Sequence, residues 1–299
     1  MFSKNARLWL GLIAAASLLS IASSCGGPKT EDTNAGNGGG AGKAYASKGD
    51  EGTITGKISF TGAAPEAKKI DTSADAACAS KNPNLVVEDW AVKDGKLANT
   101  FVYIKEGTLA DNTKIGDYDG KTFPGAATAA AVLDQNGCHY KPHVLGVMVN
   151  QEISITNSDP TQHNIHFLAT KVNPDWNQSQ VNGAPALSHK LVHAEVMAPV
   201  KCNQHPWMKS YVGVMKHPFF AVSAEDGSFT IKGVPPGKYT VVAWHEGGVN
   251  GTEKPMEVTV TAKGAATADF SFGASAALSG QPSSLPMMPA LEVPMGMKH

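Results

Sequence analysis

The sequence predicts an all-β protein: a β-sandwich joined to a second, small antiparallel sandwich. Three observations lead there. Apolar and polar residues alternate over short runs, the period of half-buried strands. Turn signals such as Asp94-Gly95, Asn136-Gly137, Asp226-Gly227 and Pro235-Pro-Gly237 separate those runs. No segment beyond the N-terminal leader carries helical periodicity. With 299 residues, 42% of them hydrophobic, the chain is long and apolar enough to bury a proper core.

Residues 1–24 place Lys4 and Arg7 ahead of an apolar run from Leu8 to Ile21, and Ala22, Ser23 and Ser24 lead directly into Cys25. This reads as a secretory signal, too short and too cleanly ended to span a membrane. A cysteine in that position resembles a bacterial lipobox, with Ala22 where Leu is more usual, and makes Cys25 the expected lipid-bearing residue; the competing reading is an ordinary cleaved signal. The protein is therefore expected to be exported and held at a membrane by its lipid, facing the periplasm or the cell surface. Basic and acidic residues nearly balance, 25 against 26, so nucleic acid is not an expected partner. Export also assigns the four cysteines: Cys25 to lipid, Cys78 and Cys138 to each other in a disulfide, with two free thiols as the rival, and Cys202 to metal.

Residues 25–51 are Gly, Ala, Asn, Lys and Asp with almost nothing large and apolar, the composition of a flexible linker. Folded sequence begins at Gly52, where Ile54, Ile58 and Phe60 alternate with polar residues. Strands are expected over 85–92 and 100–105, the unbroken run Phe101-Val-Tyr-Ile104 suggesting burial on both faces. Residues 106–125 read as a long loop. Strands follow over 144–149 and 152–157, then a break at Ser158-Asp-Pro160, an extended segment 163–169 and a second long loop over 171–188. A strand from about Lys190 runs into Cys202, and another covers 211–215. From Phe219 to Phe272 short strands recur at regular spacing between Asp-Gly and Pro-Pro-Gly turns, the pattern of a small antiparallel sandwich. The expected divisions are a first unit over 52–215, a second sandwich over 216–273, with strand 52–60 assignable to either, and a disordered tail over 274–299. Met287, Met288, Met295, Met297 and His299 in that tail are soft donors, read as part of a mobile terminus.

The chemistry is concentrated in Cys202-Asn-Gln-His205-Pro-Trp-Met208. A thiolate, an imidazole and a thioether on one short turn, with a second imidazole from a neighbouring strand, are the donors that a mononuclear copper site uses for electron transfer. His163 and His166 compete to supply that imidazole. They are three apart, so on a strand they point to opposite faces. His163, at the mouth of the strand beside Asn164, is preferred.

The segment from Thr156-Asn157 through His163-Asn-Ile-His-Phe167, taken with Cys202-x-x-His205-Pro-Trp-Met208, resembles the small blue-copper cupredoxins, the amicyanin and plastocyanin-like proteins. The resemblance implies one type 1 copper held by His163, Cys202, His205 and Met208. It implies Asn164 bracing the thiolate, a partly exposed His205 as the electron's exit, and Pro206 and Trp207 in an apolar docking surface. It also implies a cupredoxin-like Greek-key β-sandwich, and it covers about 101–215. The stretch Asp226-Gly-Ser-Phe-x-Ile-x-x-Val-Pro-Pro-Gly-x-Tyr239 looks like the transthyretin-like sandwich of carboxypeptidase regulatory and carbohydrate-binding-like modules, whose first strand often reads like Gly52-Thr-Ile-Thr-Gly-Lys-Ile58. On that comparison the copper unit is an insertion within the second sandwich.

Other copper chemistry is not supported by the loop. A binuclear site needs a second cysteine there, and copper enzymes place a histidine beside the cysteine, whereas Cys202 lies between Lys201 and Asn203. Covalent haem attachment lacks its C-x-x-C-H, zinc rarely recruits a methionine, and no nucleophile elbow occurs. His139, His143, His189, His193, His217 and His245 show no spacing that demands a ligand role. The expectation is a one-electron carrier, not an enzyme, docking a redox protein such as a cytochrome or a dehydrogenase. Two other expectations remain: copper delivery or storage, and a surface carbohydrate-binding module with a degenerate site.

Overall fold

The computed structural model describes residues 42–168, 172–247 and 251–273. The leader, the lipidation residue Cys25, most of the linker and the tail 274–299 lie outside the described residues. The described residues are nearly all-β, as the periodicity predicts, and belong to one compact unit. Among the described residues no helix is long and apolar enough to cross a membrane.

Four sheets make two sandwiches. In the first, Gly52–Phe60 lies between Ser228–Val234 and the short Lys96–Leu97, and pairs in parallel with Ala265–Thr267 and Phe270–Phe272. Its facing sheet runs Phe220–Val222, Phe101–Leu109, Gly237–His245, Thr252–Val260. Alternate residues Ile54, Ile58 and Phe60 point inward to meet Val102, Ile104, Val241 and Ala243, which is why the period of two is visible in the sequence. The expected copper segment 52–215 therefore contributes strands to both sandwiches: Gly52–Phe60 and Phe101–Leu109 are built into the C-terminal one.

The second sandwich carries the metal loop. One sheet has the order Trp176–Gln180, His163–Phe167, Glu195–Lys201, Lys209–Met215, Val144–Met148, and the other Leu187–Lys190, Glu152–Asn157, Ala131–Gln135, Tyr140–Lys141. Ile153, Ile155, Ile165, Phe167, Val200, Val212 and Val214 fill the space between. The two sandwiches meet through Phe101, Tyr103, Val144, Met215, Val242 and Trp244. Glycines allow that approach: a Cβ on Gly213 would stand 2.4 Å from Phe101 Cζ, and one on Gly146 2.5 Å from Phe220 Cδ2.

Three expectations are corrected. The linker does not run free to 51: Lys43 N donates to Asp117 O (2.9 Å) and Tyr45 N to Thr122 Oγ1 (2.8 Å), and Tyr45 packs on Phe123. The second long loop contains Trp176–Gln180 and the start of Leu187–Lys190, edge strands whose polar sequence hides them. Finally, a helix, Ala76–Lys81, exists where none is legible. It has six residues, too few for a periodic signal, and is started by Asp75, whose Oδ1 accepts from Ala77 N (2.8 Å) and Cys78 N (3.0 Å).

Candidate metal centre

The loop 202–208 closes the hairpin between Glu195–Lys201 and Lys209–Met215, which pair antiparallel with Lys201 opposite Lys209. Cys202 N donates to Met208 O (3.1 Å) and Met208 N to His205 O (2.9 Å), so the turn is braced internally. The neighbouring strand His163–Phe167 pairs with the same hairpin, Val200 opposite Phe167 and Lys201 opposite His166. That register brings His163 to the loop's inner side.

The structure gathers His163, Cys202 and His205, one donor atom from each lying within 4.8 Å of the others, and all three are buried. His163 Nδ1 lies 2.9 Å from His205 Nδ1, which is 3.7 Å from Cys202 Sγ. Met208, at the loop's end, is fully buried in the same apolar cluster. Asn164 Oδ1 accepts from Asn203 N (2.8 Å) and lies 3.3 Å from Cys202 Sγ, tying thiol and loop together. His166 faces the other way, toward Asn203 and Asp175.

Three groups that the sequence did not single out surround these residues, beside one that it did. Asp159 Oδ2 accepts from His163 Nε2 (3.0 Å) and Asp75 Oδ2 from His205 Nε2 (3.1 Å). Asp159 is itself held by the turn it faces, accepting from Gly137 N (2.6 Å) and Cys138 N (2.8 Å). Gly137 and Cys138 both have positive φ there, which aims successive amides at one carboxylate. Tyr140, fully buried, donates to Asn164 O (2.5 Å). The expected Cys78–Cys138 disulfide forms and joins them, with Cys78 Sγ 3.8 Å from His205 Nε2. Asp159 had a visible signal, since Ser158-Asp-Pro160 follows a strand and precedes His163. Asp75 had none, being 130 positions from His205.

His205 is not partly exposed. It retains 5% of its surface, because Asp75 and the disulfide cover its outer edge. Trp207 turns inward too: half-buried, it donates from Nε1 to Cys138 O (3.1 Å). Pro206 stays exposed, with Asn203 and Gln204 beside it.

The electrostatics follow from this crowding. Burial pushes the Cys202 thiol up, but hydrogen bonds from His163 and His205 outweigh it and bring it to about 6. Burial lowers His163, yet the Asp159 carboxylate and Cys202 raise it to about 9. His205 is raised against burial by Cys202 and Asp75. Burial raises Asp75, while the Cys78 amide, Thr161 and His205 draw it down to about 2. A carboxylate only accepts, so both Nε2 atoms carry hydrogens and both Nδ1 lone pairs face inward. Two such lone pairs 2.9 Å apart repel unless a proton or a metal cation lies between them. With a low-lying thiol and a buried thioether beside them, the residues fit copper.

Residues 203–268 match the family described as polysaccharide lyase family 4, domain II, a span that starts inside the metal loop and covers well under half of the chain. No curated protein matches the sequence. Among solved structures, an oxidised amicyanin variant is 27% identical over 29% of this chain and 84% of that one, with a TM-score of 0.26. A purple cupredoxin from Nitrosopumilus maritimus is 21% identical over 28% of this chain and 98% of that one, at 0.25. A copper-containing nitrite reductase from Thermus scotoductus is 16% identical over 28% of this chain, at 0.27, and the match spans only 22% of the reductase. At such TM-scores these likenesses carry no weight, and the metal centre stands on its own geometry.

Proposed function

We propose that this chain is an exported type 1 copper protein that works as a one-electron carrier, anchored to a membrane through lipid on Cys25. It is not an enzyme on this reading. The observation that carries it is the meeting of one donor atom each from His163, His205 and Cys202 within 4.8 Å, where a braced hairpin meets the neighbouring strand. When bound, copper supplies a one-electron couple. His163, Cys202, His205 and Met208 hold the ion, and Asn164 fixes the thiolate. The apolar cluster and the covering segment keep water out.

Because His205 is covered, the docking edge for a redox protein, a cytochrome or a dehydrogenase, is the exposed side of the loop at Asn203, Gln204 and Pro206. Redox encounters use small interfaces, so this modest patch is enough. The test is to add Cu(II) to purified protein and record its visible spectrum and voltammogram. Intense thiolate-to-copper absorption with a reversible one-electron wave is expected. A colourless Cu(II) protein would defeat the proposal.

The likeness of 203–268 to a polysaccharide lyase domain favours a second reading, carbohydrate contact by the C-terminal sandwich. Glycan binding that survives Cys202→Ser would support it as an added role. Copper delivery remains the other alternative. It predicts rapid loss of Cu(I) to a chelator, whereas a covered carrier centre loses it slowly.

A further inference from the structure

The segment that covers the centre also brings a charge to it. Asp75 comes from outside both strands of the metal hairpin, and four contacts fix its carboxylate. Oδ1 accepts from Ala77 N and Cys78 N, and Oδ2 accepts from Thr161 Oγ1 (2.8 Å) and His205 Nε2 (3.1 Å). The helix that follows is pinned by the Cys78–Cys138 disulfide, by Lys81 Nζ on Ser158 O (2.8 Å) and Asp159 Oδ1 (3.0 Å), and by Asn82 Nδ2 on Gly137 O (3.1 Å). A carboxylate so held cannot turn away from the ring.

We infer that Asp75 is a positioning residue of the copper centre: it locks His205 in the Nε2–H tautomer with Nδ1 aimed at the metal, and its charge favours Cu(II) over Cu(I). This rests on the copper reading above. The physical basis is twofold. A ligand histidine whose far nitrogen donates to a carboxylate is fixed in tautomer and orientation and becomes a stronger donor. A negative charge one imidazole away, on a side chain that keeps 20% of its surface, also stabilises the more highly charged ion. Asp159 does the same for His163, but it also holds the 137–138 turn, so its replacement would disturb folding as well as the metal. Asp75 can be changed more cleanly.

Asp75→Ser keeps a good helix cap and removes the charge and the acceptor. Loss of such a supporting partner costs about 10–100-fold in metal affinity. If that loss falls on Cu(II) alone, the midpoint potential rises by about 59–118 mV, at about 59 mV per tenfold for one electron. Asp75→Asn keeps the Oδ1 cap but turns an amide toward Nε2, favouring the tautomer with its proton on Nδ1, and Cu(II) binding should weaken at least as much. Asp71→Asn, an exposed carboxylate of the same segment bonded to Ser73 N, is the charge control and should move neither quantity.

The measurements are Cu(II) and Cu(I) affinities by chelator competition and the midpoint potential by voltammetry, with urea midpoints to establish that each variant is folded. A rise in potential with weakened Cu(II) binding in Asp75→Ser, absent from Asp71→Asn, supports the inference. Folded Asp75→Ser and Asp75→Asn proteins with wild-type potential and affinity overturn it and leave the copper reading standing. A wild-type protein that takes up no copper defeats both.

Discussion

Replacing Cys78 and Cys138 together by alanine removes the disulfide that staples the covering helix to the metal sandwich. The cost can be worked from their separation of 60 residues. A cross-link withdraws loop-closure entropy from the unfolded chain, about 2.1 + 1.5R ln n cal/mol/K, which for this loop is about 4 kcal/mol at 25 °C. The native side changes less, because Asp75, Lys81 and Asn82 keep the helix docked. The assay is urea unfolding followed by tryptophan fluorescence, with dithiol-reduced wild type as a second cross-link-free sample that leaves no cavity. At a slope of about 2–3 kcal/mol/M the midpoint should fall by about 1–2 M. The copper spectrum in the absence of urea should persist, since none of His163, Cys202, His205 and Met208 is touched. A fall of less than about 0.5 M in both samples would refute the reasoning, because it would mean that the unfolded chain is not restrained by this link.

Three further outcomes are expected. Cys202→Ser should abolish the visible absorption of the copper-loaded protein while leaving its circular dichroism unchanged, as it removes the thiolate and little volume. Gly213→Ala drives a methyl into Phe101 at 2.4 Å and should cost about 1–3 kcal/mol, whereas Gly116→Ala, with open space around it, should stay within about 0.5 kcal/mol; thermal unfolding compares them. The third concerns the buried pair of His143 and Glu246. Burial alone would lower His143, but Glu246 and Glu88 raise it to about 9; burial would raise Glu246, but His143 and Lys209 lower it to about 2. The histidine's contribution is present in full below its unfolded value near 6.5 and is lost as pH rises through about 9. The glutamate's is present above its unfolded value near 4.5 and is lost as pH falls toward about 2. Stability from this pair should therefore be greatest between about 4.5 and 6.5, and Glu246→Gln should flatten both flanks in urea midpoints measured against pH.

Much of this protein could be read from local pattern. Ile54, Ile58 and Phe60 alternate because one face of their strand meets a core, and an alternation of two is visible without knowing the partner strand. The parity that separates His163 from His166 is equally local: the first is fully buried and the second faces Asn203 and Asp175. By contrast, the polar edge strand Trp176–Gln180 and the six-residue helix give no periodic signal, the one because only part of it is buried, the other because it is too short.

What the sequence by itself determined was the all-β class and the candidate donors of the metal loop, since both depend on residue type at short spacing. Only the tertiary structure decided what surrounds those donors. Phe101–Leu109 entered the C-terminal sandwich through pairing with Gly237–His245, more than a hundred positions away. Asp75 reached His205 across 130. Such contacts arise from how sheets stack and which loops fold over their ends, and no spacing rule records them. His205, read as an exposed exit for the electron, is for that reason a covered residue backed by a carboxylate.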